Sequence, residues 1–263
     1  MTAQDTQSPR AQQTGVYVYG ILPGDVELEP GTTGVGDPPG EVRLVRRRDL
    51  AALVSDVDLT KPLGRPQDLV AHEELLDSIA AEVPVLPIRF GAVVTSDDAV
   101  ADELLEAHHD EFAAALRQLE GHVEYIVRGR YVEAAILREV LAENPRAAQL
   151  RDQIKGADPD ATRNQRIELG QIINNAIAAK REQDTRAFCD AVADYVEASV
   201  VREPTHELDA VYTALLVKTS AADDLKRAVQ ELARDWSGRI ELRLRGPLAV
   251  YDFVGTAVPA AGS

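Results

Sequence analysis

Val83-Pro-Val-Leu-Pro-Ile-Arg-Phe-Gly-Ala-Val-Val94 is an apolar run with two prolines and one arginine, set between two helical patterns. Pro84 and Pro87 lack the N–H that a sheet ladder requires, which puts the start of the run at a sheet edge or a bend. From Ile88 onward it reads as a buried strand carrying one long cation, Arg89, whose charge must meet a partner or reach solvent. A helix carboxylate is the expected partner, locking strand to helix. The alternative places Arg89 and Phe90 at a recognition edge beside the proline break.

Upstream, Gly15-Val-Tyr-Val-Tyr-Gly-Ile-Leu22 is dense in β-branched and aromatic residues and predicts a strand apolar on both faces. Residues 23–40 hold many Gly and Pro and read as a long loop. Val42–Arg46 and Leu50–Ser55 predict two short strands joined near Arg46-Arg47-Arg48-Asp49. A helix follows over Asp68–Glu82, with Leu69, His72, Leu76, Ile79 and Val83 at helical spacing. Downstream of the proline run, Ser96 is placed to cap a second helix with Asp97 and Asp98 in its first turn. Leu104, Leu105, Phe112, Leu116 and Leu119 give that helix its stripe, and Gly121 fits its end. This order predicts an α+β sheet with helices on one face.

A second unit begins at His122–Arg130, where Val123, Tyr125 and Val127 alternate with Glu124 and Arg128. Helical patterns cover Val132–Glu143 and Arg146–Lys155. Thr162 is then placed to cap an unbroken helix reaching Arg202, closed by Pro204 and on the order of 60 Å long. Ala210–Lys218 predicts a central strand. Ser220 precedes a helix with Leu225, Val229, Leu232 and Trp236 in register. Arg239–Arg245 alternates as a strand with one buried face. The fold class expected is α+β in two domains, one over 15–120 and a second, with the long helix, over 121–254. Polar residues 1–14 and small residues 255–263 read as tails. The spacing in the second half matches the split βαβ plan, and the first half reads as a distorted version of it.

The 263 residues carry a formal charge of −16, which works against nucleic acid or anionic lipid as partners. Cys189 is the single cysteine, so an internal disulfide is impossible, which fits a reducing cytoplasm. The N-terminus has no apolar core of a signal peptide, and no run reaches about 18 apolar residues, so no membrane span is expected.

Machinery for chemistry is hard to find. Gly31–Gly40 lacks the Gly-Lys-Ser/Thr ending and the following helix of a phosphate loop. His108 and His109 are adjacent and point about 100° apart on a helix, so they do not share a metal ion. His72 reads as a core histidine, Cys189 as a structural thiol, and Arg46–Arg48 as an exposed turn. His122 and His206 lie near element ends. No cofactor and no catalytic residue are expected.

Three separated stretches resemble the gas vesicle protein F/L family: Val16-Tyr-Val-Tyr-Gly-Ile21, Val85-Leu-Pro-Ile-Arg-Phe-Gly91, and Gly238–Leu242 with Gly246-Pro247 and Tyr251-Asp-Phe-Val254. Gly121-His-Val-Glu-Tyr125 also fits the family layout. Leu248-Ala249 stand where the family often has two prolines. The resemblance implies a two-domain α+β protein whose N-terminal domain, 15–120, is ferredoxin-like, and a non-enzymatic structural or assembly role in gas vesicles, cytoplasmic and vesicle-associated. The partners it implies are the hydrophobic shell subunit, gas vesicle protein A, and other accessory proteins. It marks Leu86, Pro87, Arg89, Phe90, Gly91, Gly246, Pro247, Tyr251 and Phe253 as signature or partner-binding residues. The competing readings are an enzyme or small-ligand binder on the same scaffold, or a dimeric regulatory module built on the long helix.

Overall fold

The computed structural model describes residues 14–254, and the expected tails at 1–13 and 255–263 lie outside them. The chain divides into two compact units, 14–121 with 247–254, and 122–246. The closing segment 247–254 therefore belongs with the first unit. It had been expected to finish the second.

In the first unit, β1 (Thr14–Pro23) is buried almost throughout, because its β-branched and aromatic residues are covered on both faces. It pairs antiparallel with β3 (Leu50–Asp58), which pairs with β2 (Val42–Arg47). On its other side β1 meets two short strands, β4 (Leu86–Pro87) and β5 (Val93–Val94). The sheet reads β2-β3-β1 and then β4 with β5. Helix α1 (Pro66–Ala80) packs on it through His72, Leu75 and Leu76. Leu69, expected in that stripe, is 44% exposed. The helix is rotated so that Asp68 faces inward, where Arg65 and the Gly36 N–H hold its carboxylate. Apolar periodicity is blind to such a salt-bridged anion.

The second helix is not continuous. Ser96 caps α2 (Asp97–Ala99), which widens into a π-helical stretch, Val100–Glu106, before α3 (His109–Leu119). Asp97, Asp102 and Glu106 of the first part pair with Arg43 and Arg47 of β2, so the widened stretch covers that sheet edge.

In the second unit, β6 (His122–Tyr131) leads through α4 (Glu133–Glu143), α5 (Pro145–Ile154) and α6 (Arg163–Val192) to β7 (Ala198–Val201). β8 (Asp209–Lys218), α7 (Ala222–Asp235) and β9 (Ile240–Leu248) complete it. The sheet order is β7-β8-β6-β9. The long helix has 30 residues, about 45 Å, and stops before the expected Arg202. Past Val192 the chain turns, and Ala198-Ser-Val-Val201 becomes a strand because β-branched residues find a ladder on β8. Thr162 does not cap through its side chain; its hydroxyl donates to the Asp158 carbonyl instead. Glu124, expected to face water, is buried, with Arg202 at 3.5 Å.

Polar lacing fixes α6 to this sheet. Arg239 donates to both Asp184 oxygens at 2.9 Å and to Glu139 at 2.8 Å, while the Tyr131 hydroxyl donates to Asp184 at 2.6 Å. Beneath it Phe188, Val127 and Leu215 form a dry core. No described helix is long and apolar enough to cross a membrane.

Candidate functional site

The proline-bearing run is not the continuous buried strand expected. It pairs with β1 at Leu86↔Ile21 and Pro87↔Gly20, leaves the ladder, and returns at Val93↔Tyr17 and Val94↔Val16. Pro87 sits on a sheet edge, where its missing N–H is tolerated. Between the two contacts lies a loop, Ile88–Ala92, tied at each end: the Ile88 N–H donates to the Tyr19 carbonyl at 2.8 Å, and Val18 N–H to the Ala92 carbonyl at 3.0 Å.

The loop is also held from beneath. Gly91 N–H donates to the Tyr17 hydroxyl at 3.0 Å, and that hydroxyl lies 3.0 Å from Nδ1 of His72. With its oxygen accepting from Gly91, the Tyr17 O–H is free to donate to the imidazole. The Phe90 ring meets His72 edge-on at 5.5 Å and Tyr17 at 6.0 Å. Tyr19 stacks on His72 at 5.6 Å, and its hydroxyl bonds Ser55 at 2.7 Å while accepting from Val35 N–H. Burial lowers the His72 pKa from 6.5 to about 4, offset only in part by the Ile88 backbone. The imidazole is therefore neutral near pH 7, the form that can accept from Tyr17. Desolvation likewise pushes the Tyr17 hydroxyl well above its ordinary range. His72 is thus a brace between α1 and the loop.

Arg89 points away from this brace. Its side chain is exposed, and among the described residues it has no hydrogen-bond or ion-pair partner. The expected carboxylate partner is absent because the loop bulges out of the sheet and hands the guanidinium to water, where desolvation is avoided. Leu86 is buried, Phe90 half-buried and Gly91 exposed. Gly91 has φ +91°, a conformation that glycine adopts without strain.

The other signature residues fall elsewhere. Gly246 and Pro247 are exposed near the end of β9. Gly246 has φ +147°, and a Cβ there would lie 2.5 Å from the Tyr125 ring. Tyr251 packs against the first unit's core, where the Ala249 N–H donates to Asp77 at 3.0 Å. Phe253 is half-buried.

Residues weighed for chemistry have ordinary surroundings. His108 lies beside Phe112 and Glu111, while His109 meets Asp110 at 3.0 Å and Asp49 at 2.5 Å. Arg46 donates to the carbonyls of Gly24 and Val26. Burial raises the half-buried Cys189 thiol. Among the described residues no three His, Cys, Asp or Glu side chains are grouped to hold a metal ion. Sequence reasoning missed the Tyr17–His72–Gly91 brace, because nothing in the spacing says that residues 55 and 74 apart meet.

Two antiparallel sheets, each with packed helices, define a class of mixed α/β protein, here with an exposed cation on a braced loop. The same architecture occurs in the crystal structure of gas vesicle protein GvpF from Microcystis aeruginosa, with TM-score 0.72 and 21% identity, covering 91% of this chain and 98% of that one. It recurs in GvpF from Anabaena sp. PCC7120, with TM-score 0.74 and 23% identity over 92% and 98% of the two chains. Gas vesicle protein F of Streptomyces sp. (strain CB03234) is 35% identical over 90% of this chain and 98% of its own length. Gas vesicle protein L of the same strain is 28% identical over 92% and 93%. Residues 15–255 match the family described as gas vesicle synthesis protein GvpL/GvpF, and the chain belongs to that family.

Proposed function

We propose that this protein is a non-enzymatic, vesicle-associated assembly component of gas vesicles that binds the hydrophobic shell subunit, gas vesicle protein A, in the cytoplasm. Family membership supports the gas vesicle setting. The observation carrying the contact is the braced loop: Leu86–Gly91 is fixed to β1 and α1, yet it displays Arg89 without a partner. The backbone of the loop is already ordered when a partner meets Arg89, which leaves only the side chain to be ordered. A shell subunit with a water-repelling face needs a soluble protein to shield or position it. Other accessory proteins of the vesicle are further expected partners.

We also read both units as versions of the ferredoxin-like plan. The shared strand order supports this: second, third, first, fourth in each sheet. Experimental coordinates with another order in either sheet would refute it.

Co-expression of tagged protein with the shell subunit tests the contact. Wild type should co-purify the subunit, and Arg89→Ala should reduce recovery several-fold with an unchanged melting profile. Normal vesicles in a deletion strain, together with no co-purification, would overturn the assembly role.

A further inference from the structure

The second sheet ends in two edge strands, β7 and β9, and neither has a described strand on its outer side. β7 is four residues long, and its flanking Glu197 is already bonded to Lys218 at 2.7 Å. β9 is longer and carries two opposite charges. Glu241 and Arg243 stand two residues apart on one face, both exposed, and among the described residues neither has a hydrogen-bond or ion-pair partner. Leu242 and Leu244 alternate to the other face and pack half-buried against the second unit's core. There they line a groove of about 360 Å³ with Val229, Gln230 and Ala233 of α7.

Charges on an edge strand ordinarily discourage pairing. A Glu and an Arg at i and i+2 act differently, because antiparallel pairing about a twofold axis reverses one strand against the other. With the axis at the residue between them, each charge falls directly opposite its counterpart, where cross-strand side chains start about 5 Å apart.

We propose that β9 is the pairing edge of a homodimer: two copies pair antiparallel over Ile240–Leu244, centred on Leu242, and join their sheets into one. This register sets Glu241 of each copy against Arg243 of the other, twice. Centring on Arg243 would lay that arginine on itself, and centring on Glu241 would lay the glutamate on itself. A slip by one residue would put the leucines on the charged face. The same pairing carries α7 of each copy alongside the other, on one face of the joined sheet, and covers the groove that Leu242, Leu244 and Ala233 leave open. Gln230 and Ala233 bring no charge to that contact, and Lys226 on the same rim is bonded to Asp223 at 3.0 Å. This edge belongs to the second unit and is independent of the Arg89 loop and of the shell-subunit reading.

Light scattering on the full chain across a concentration series tests the edge. Wild type should pass from the mass of one copy to that of two as concentration rises, with the β9 amides gaining exchange protection in the dimer. Glu241→Arg or Arg243→Glu alone replaces two attractions by two repulsions and should weaken dimerisation about tenfold or more. The double exchange, Glu241→Arg with Arg243→Glu, should restore it, and an equimolar mixture of the two single variants should form the mixed dimer. Both side chains are exposed and unpartnered, so every variant should melt as wild type does. The mass of one copy at every concentration overturns the proposal. So does a dimer indifferent to these exchanges, which would lie on another surface. A loss in the single variants that the double exchange fails to repair overturns it as well.

Discussion

The two units share a strand order and are held together by different means. In the first, strand one reaches strand two through a loop over residues 24–41, and the fourth position is filled by a broken strand. Its interior is aromatic, with Tyr17, Tyr19 and His72 hydrogen-bonded inside it. In the second, three helices make the same crossing, and an ionic lattice of Arg239, Asp184 and Glu139 straps the longest of them to the sheet. The contrast teaches that sheet order constrains the crossing weakly and the surface hardly at all. The first unit spends its irregularity on a loop that presents Arg89, the second on a bare edge at β7.

The largest effect separating them should come from the second unit's dry core. Phe188 is fully buried on α6, so Phe188→Ala should cost about 4 kcal/mol in chemical denaturation. A loss below about 1 kcal/mol would mean that the ionic lattice, not burial, holds the helix.

The first unit should instead be the acid-sensitive one. His72 has its folded pKa depressed to about 4 from 6.5, so the stability it confers is fully present above pH 6.5 and drains away as pH falls through about 4. The 2.5-unit gap (6.5 − 4) corresponds to about 3 kcal/mol. Stability measured against pH should therefore fall less steeply across that window in His72→Phe than in wild type; parallel curves would remove the brace from the explanation.

Two signature glycines sharpen the contrast at smaller scale. Gly246→Ala in the second unit meets the Tyr125 ring and a strained φ, and should lose about 2 kcal/mol or more. Gly91→Ala in the first meets open space and should lose only the backbone term, about 1 kcal/mol. Equal losses in thermal unfolding would show that the two turns are under similar constraint. Smallest of all, Arg89→Ala should move stability by less than about 0.5 kcal/mol, since its side chain touches nothing that folding orders.

Much was legible in the chain itself. The alternation of Arg239–Arg245, the doubly apolar runs of β1 and β8 and the proline break fixed strands and an edge, because side-chain period and a missing N–H act locally. The resemblance to the vesicle family was carried by short motifs that survive as text. What the chain could not disclose was long-range pairing. Asp68 turned inward because Arg65 and a loop amide met it, Glu124 was buried with Arg202, and the expected strand at Arg89 opened into a loop braced by His72. The extended helix pattern past Val192 became β7 because a ladder on β8 outweighed helical propensity. Periodicity reports which face of an element is apolar; only the packed structure decides which charges find partners, and so which cations and which edges are left facing water.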